Sequence, residues 1–134
     1  MRIVDRNRAL SRAVHDFAAE CGRLRILPTT LHVGSPRGEA VTIPDEKWYD
    51  AAMRADLVER ALSVLDIAEP LVWITRPGPC RATDADNRWC AASLTAGARL
   101  GRSVPFYIVT RRAWLEPATG EGRTWVRIRI KEDA

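Results

Sequence analysis

The sequence contains few residues of the kinds that reactive centres and extracellular folds use most. It has three cysteines and two histidines among 134 residues, and only two lysines beside nineteen arginines. An odd number of cysteines without regular spacing argues against a disulfide framework. There is no Cys-x-x-Cys motif, and His15 and His32 share no ligand spacing, so the sequence predicts no metal site.

Long hydrophobic runs are also missing. No apolar stretch approaches the roughly 20 residues that span a bilayer, and no segment has the pattern of a secretory signal peptide. The sequence therefore predicts a cytoplasmic protein with reduced thiols and no membrane contact. It contains no nucleotide-binding glycine fingerprint and no nucleophile elbow, so it predicts no cofactor and leaves any catalytic residue unknown.

The composition is that of a globular protein. Hydrophobic residues make up 46% and charged residues 28% of the chain, which predicts a single domain over residues 1–134. The net charge is +4, and the middle segment 38–70 is acidic while the segments on either side are basic. Such blocks can pair inside one fold or leave a basic face for a polyanion.

Hydrophobic periodicity and turn residues predict three helices and five strands. The helices cover 8–21, 45–66 and 84–99, and the strands cover 24–33, 39–43, 71–75, 105–110 and 124–130. Strands 71–75 and 105–110 are apolar without alternation, which is typical of parallel strands buried on both faces. The order α-β-β-α-β-α-β-β predicts an α/β fold, with α+β as the alternative: a small mixed sheet with flanking helices and one βαβ unit.

The two apolar strands end in the same Thr-Arg pair. In a parallel unit both endings lie at one sheet edge, where ligands of open α/β sheets bind. Arginine suits phosphate or carboxylate because its fork holds two oxygens. The candidate anion-binding residues are Thr75, Arg76, Arg81, Thr110, Arg111 and Arg112. The alternative is that these arginines pair with the acidic second helix or with Asp84 and Asp86, which would also repel an anion at the start of the third helix.

The last predicted strand supplies a second candidate site. Its alternation places Trp125, Arg127 and Arg129 on one face, and Trp114 lies across the preceding loop. Interleaved aromatic and cationic side chains can stack bases, hold phosphates or contact a protein partner. The alternatives are a cation–π pair on an exposed strand or cover by the N-terminal helix.

One cysteine is a candidate for reactivity. Cys80 lies in the loop that contains Arg76 and Arg81, and nearby cations lower the pKa of a thiol.

The C-terminal half carries a family resemblance. Thr75-Arg76-Pro77-Gly78, Val109-Thr110-Arg111, Trp114, Pro117, Gly120, Arg123 and Trp125 resemble a family of small uncharacterised actinobacterial proteins, over about the last 65 residues. That family implies no activity and supplies no catalytic residues to this chain.

The sequence favours a non-catalytic binding or regulatory module that contacts a protein partner or a second copy of itself. Nucleic-acid binding through the Arg/Trp strand and the basic N-terminal helix is one alternative. The other is a small anionic ligand, bound or transformed at the sheet edge that holds Arg76 and Arg111.

Overall fold

The computed structural model describes residues 2–128, which form a mixed α/β fold. The three helices are α1 (Ile3–Cys21), α2 (Ala51–Val64) and α3 (Asp84–Arg99). The six strands are β1 (Thr30–Gly34), β2 (Ala40–Pro44), β3 (Leu71–Thr75), β4 (Phe106–Thr110), β5 (Ala113–Leu115) and β6 (Gly122–Thr124). The predicted fold class and element order are confirmed, with β5 as an additional short strand.

One six-stranded sheet runs in the order β2-β1-β3-β4-β5-β6. Strand β3 is parallel to β4, as predicted for the βαβ unit, and every other pair is antiparallel. Helix α1 packs on one face over β4 and β5, whereas α2 and α3 pack on the other.

Two apolar cores lie on the two sides of the sheet. Because side chains alternate along a strand, Val72 and Ile74 of β3 join the core under α2 and α3, whereas Leu71 and Trp73 join the core under α1. The helical spacing of the α1 stripe explains its burial: Leu10 and the residues one and two turns later face the sheet. These two cores fix which face each functional side chain occupies.

Several element boundaries differ from the prediction. Helix α1 begins at Ile3, five residues earlier than predicted. Helix α2 begins later than expected, because Asp50 caps it by accepting from the Met53 amide, while Asp45 accepts from the Trp89 indole instead. Strand β1 begins only after Pro28, which lacks the amide hydrogen that a ladder needs. The last strand, β6, is shorter than predicted and lies earlier in the chain: it ends at Thr124, so residues 125–128 are not part of a strand. It pairs with β5, and residues 129 and 130 lie outside the described part of the chain.

Gly97 is the point where α3 approaches the following loop most closely. A Cβ at this position would lie 2.6 Å from the backbone oxygen of Arg102. We expect Gly97→Ala to lower the free energy of unfolding by about 1–3 kcal/mol, because the loop must shift to relieve the clash. Urea unfolding measures this loss. Ala98→Ser is the matched control, since Ala98 is exposed in the same turn. Equal stability of Gly97→Ala and the native protein would contradict the prediction.

Candidate functional site

Arg76 follows β3 and is the centre of a buried polar cluster. Its Nη2 lies 2.7 Å from Asp86 Oδ2, and its Nε donates to Asp86 Oδ1 at 2.9 Å. Nη1 donates to the carbonyls of Pro77 and Pro79, and Nη2 also donates to that of Arg81. The hydrogen bonds to Asp86 raise the pKa of Arg76 further. All five N–H groups of this guanidinium are therefore engaged, and none remains for a ligand.

Asp86 belongs to a capping box at the start of α3. The Thr83 hydroxyl accepts from the Asp86 amide, and the Asp86 carboxylate accepts from the Thr83 amide. The carboxylate of Asp86 is fully buried. One side chain thus closes the start of α3 and neutralises Arg76, which is the alternative that the sequence offered for this arginine.

The predicted anion-binding residues lie at or near the carboxyl ends of β3 and β4, but on opposite faces of the sheet. Thr75 pairs with Val109 across the parallel strands, so the two Thr-Arg endings do adjoin, offset by one residue. The offset turns Thr75 and Arg111 toward α1, where Arg111 lies near Cys21. Arg76 and Thr110 turn toward α3, where Thr110 contacts Cys80. The six residues therefore do not converge on one anion, and Arg81, Arg111 and Arg112 are exposed.

Cys80 does not have a lowered pKa. Burial raises the pKa of its thiol, and this effect exceeds the opposite effects of Thr110 and Arg76. Its Sγ lies 3.7 Å from the carbonyl oxygen of Ile108, to which it donates. The prediction of an activated thiol is wrong because Arg76 is already neutralised by Asp86 and because the sulfur is desolvated.

The predicted Arg/Trp face is not an exposed strand face. Trp114 is buried under α1, with the Arg6 guanidinium 5.4 Å from its ring centre. Trp125 is half-buried against the α1 core, and its ring packs edge-on against His15. The guanidinium carbon of Arg123 lies over the Trp125 ring, 4.2 Å from its centre. Arg127 is exposed, and Arg129 lies outside the described residues. Cover by the N-terminal helix, the alternative from the sequence, explains both tryptophans.

A groove opens where α1 stops covering the sheet. Helix α1 lies over β4 and β5, and none of the helices in residues 2–128 packs centrally on the same face of β1 and β2. The groove holds about 480 Å³ and continues to the end of β3. Its polar floor consists of Thr30, His32, Thr42 and Thr75, and its wall includes Phe17, Leu24, Leu27 and Pro28, with Glu20 and Arg23 beside them.

His32 is held rigidly in this groove. Its Nε2 lies 2.8 Å from Thr75 Oγ1, and its ring stacks on Trp73 with centres 5.1 Å apart and planes 9° apart. Burial lowers the pKa of His32 to about 4. The imidazole is therefore neutral at pH 7, and the groove offers hydrogen-bonding groups rather than charge at its floor.

Strand β2 forms one edge of the sheet, and its outer side has no neighbour among the described residues. Hydrogen bonds join Asp45 to Thr29 and Ser35 to Glu39, one at each end of the β1–β2 ladder. Because hydrogen-bonded pairs alternate in an antiparallel ladder, Val41 and Ile43 bond to β1. The backbone groups of Ala40, Thr42 and Pro44 point outward instead.

Sequence reasoning did not place His32 in any candidate site. Leu31 and Val33 alternate with Thr30 and His32 in β1, and Val41 and Ile43 flank Thr42 in β2. This period-two pattern predicts that the polar residues of both strands share one face. It could have indicated a polar sheet face, although it could not show that α1 leaves that face open.

No family profile, curated protein or solved structure matches this chain. Within residues 2–128 no three His, Cys, Asp or Glu side chains come together as a metal site. None of the described helices is long and apolar enough to cross a membrane.

Proposed function

We propose that the protein is a non-catalytic binding module that takes an extended segment of a partner protein as an additional strand beside β2. The observation that carries this proposal is the unpaired outer edge of β2 next to the open groove of His32. Added strands gain affinity from main-chain hydrogen bonds and specificity from pockets for alternate side chains. The β2 edge supplies the main-chain hydrogen-bonding groups, and the groove of His32 supplies a pocket for alternate side chains.

The edge of β2 sets the length of the added strand. Outward groups come from Ala40, Thr42 and Pro44, and proline has no amide hydrogen, so two N–H donors and three carbonyl acceptors are available. Pro44 therefore ends the ladder at one side. A partner segment of about five residues in an antiparallel or parallel strand would match this span.

The groove sets the chemistry of the partner segment. Side chains of an added strand alternate, and those on the α1 side would meet Thr42 first and His32 next. These groups are uncharged at pH 7, since the pKa of His32 is about 4. The groove also has an apolar wall. We therefore infer a segment whose alternate side chains are uncharged and able to form hydrogen bonds.

The experiment that tests this proposal also distinguishes two other occupants of the β2 edge. A second copy could pair its own β2 with this edge, which is the homo-oligomer that the sequence also allowed. Nucleic acid is a weaker candidate, because the tryptophans expected to stack on bases pack under α1. A cytoplasmic location and the actinobacterial resemblance stay predictions from the sequence.

Thr42→Pro is expected to weaken peptide binding about tenfold or more. It removes one of two outward N–H donors and places a ring where the added strand must lie, without removing a bond to β1. Peptides would be selected from a random display library on the native protein, and their affinities measured by calorimetry. Thr42→Val is the matched control, because it keeps the N–H group.

The same comparison can overturn the proposal. Peptides that bind the native protein and Thr42→Pro equally well would exclude strand addition at β2, as would a library that yields no binder. A native dimer that Thr42→Pro converts to a monomer in analytical ultracentrifugation would assign the edge to a second copy instead. Amide hydrogen exchange of Ala40 and Thr42 should slow on peptide binding if the added strand forms.

A further inference from the structure

A second cavity lies at the other end of the α1 core, where β3 and β4 begin. It holds about 520 Å³, within the range of sites for small organic ligands. Much of its wall is apolar and comes from Ile3, Ala68, Pro70, Leu71 and Pro105. The polar groups on the wall are Arg6, Glu69, Arg102, Ser103, Tyr107 and Glu116. Neither the strand-binding edge nor the groove of His32 contributes to it.

Two of the polar wall residues are almost completely buried. Tyr107 is 1% exposed and Glu116 is 9% exposed. Burial, followed by the charge of Glu116, raises the pKa of Tyr107, so its hydroxyl stays protonated and can donate to that carboxylate. This cavity therefore contains a fixed, desolvated polar pair, which distinguishes it from a shallow depression between side chains.

Most of the charges around the cavity already have partners. Arg6 donates to Glu121 at 2.6 Å, lies near Glu116 and stacks over Trp114. Glu116 is flanked by Arg6 and Tyr107. Glu69 is engaged in an interaction of its own. Arg6 already faces two carboxylates, so it offers no free positive charge to an anionic ligand.

Arg102 is a cation on the wall that is held in place by backbone carbonyls rather than by a carboxylate. Its Nη2 donates to the carbonyl oxygens of Ile67 at 3.2 Å and Ala68 at 2.9 Å, which fixes the side chain at the wall. Within residues 2–128 no carboxylate forms an ion pair with it, and its side-chain hydrogen bonds all come from Nη2. The start of α1 at Ile3 adds its partial positive charge to the same wall.

We propose that this cavity binds an amphipathic organic carboxylate, with the carboxylate on Arg102 and the hydrocarbon part against Ile3, Pro70 and Leu71. A guanidinium with free N–H groups matches a carboxylate in shape and charge. The apolar wall removes the hydrocarbon from water, which a small inorganic anion would not exploit. This site is independent of the strand proposed beside β2.

Octanoate is the probe for this proposal, with octanamide as the uncharged molecule of nearly the same shape and acetate as the charge without a chain. We expect calorimetry to show octanoate binding at least about tenfold more tightly than either. Arg102→Gln should remove that preference and Arg102→Lys should retain part of it. Arg99→Gln is the matched control, because Arg99 is an exposed arginine near the end of α3 that pairs with Asp56 and Glu59.

Three results would overturn the inference. Octanamide binding as tightly as octanoate would exclude a role for the charge, and this comparison uses the native protein, so it does not depend on a variant that folds. No octanoate binding at millimolar concentration would exclude the site. Equal losses for Arg99→Gln and Arg102→Gln would show that general surface charge, rather than this cavity, attracts the carboxylate.

Discussion

Asp86→Ala is expected to lower the free energy of unfolding by about 3–5 kcal/mol, the typical cost of leaving one partner of a buried ion pair alone. The substitution would leave the Arg76 guanidinium, whose side chain is 7% exposed, without the one carboxylate that pairs with it among residues 2–128. It would also remove the acceptor for the Thr83 amide at the start of α3. The carbonyls around Arg76 would remain, but they cannot neutralise its charge.

Urea unfolding at pH 7, followed by circular dichroism, measures this loss. Asp84→Ala is the matched control, since Asp84 begins the same helix but is exposed, and we expect it to cost under about 1 kcal/mol. The paired replacement of Arg76 by Met and Asp86 by Leu should recover part of the stability, because it leaves no buried charge. It does not recover all of it, since the carbonyls of Pro77, Pro79 and Arg81 and the Thr83 amide lose their side-chain partners. A loss of less than about 1 kcal/mol for Asp86→Ala would show that Arg76 finds another partner or becomes hydrated.

Lowering the pH is expected to destabilise the protein through His32 by up to about 3 kcal/mol. The pKa of His32 is about 4 in the folded chain, against an ordinary value of 6.5, because its ring is desolvated. Between these two values the unfolded chain binds a proton that the folded chain does not. His32 therefore contributes stability that is fully present above about pH 6.5 and is lost as the pH falls toward 4.

His32→Gln isolates this effect from the carboxylates that titrate in the same range. The difference in unfolding free energy between the native protein and His32→Gln should change by about 3 kcal/mol between pH 7 and pH 4. His15→Gln is the control for a histidine on the helix surface. A constant difference across this range, or a His32 imidazole that titrates near 6.5 by NMR, would contradict the prediction.

The sequence was sufficient for the architecture because apolar patterning is local. The continuous apolar runs at 71–75 and 105–110 predicted two buried parallel strands, and the structure confirms them. The ends of the helices and strands were harder to predict from the local sequence. Both Asp45 and Asp50 are chemically suitable caps for α2. The indole N–H of Trp89 donates to the Asp45 carboxylate, and Asp50 caps the helix instead. The contact between Trp89 and Asp45 joins residues 44 positions apart and leaves no local signal.

The candidate site was harder to predict because it depends on which face each side chain takes. The sequence predicted Arg76 and Arg111 at the carboxyl ends of two adjacent parallel strands, and they lie there. A one-residue offset between β3 and β4 then turns them to opposite faces. The tryptophans were misplaced for a related reason: β6 ends at Thr124, so the alternation expected for Trp125 and Arg127 does not apply.

The placement of α1 has a consequence for how the chain is made. Its apolar stripe of Leu10, Val14 and Phe17 packs on β4 and β5, which are among the last elements to be synthesised. During translation the first helix therefore emerges long before its binding surface exists. For most of that time its hydrophobic face must stay in water or be held by a chaperone. The core under α1 can close only after β4 and β5 have left the ribosome.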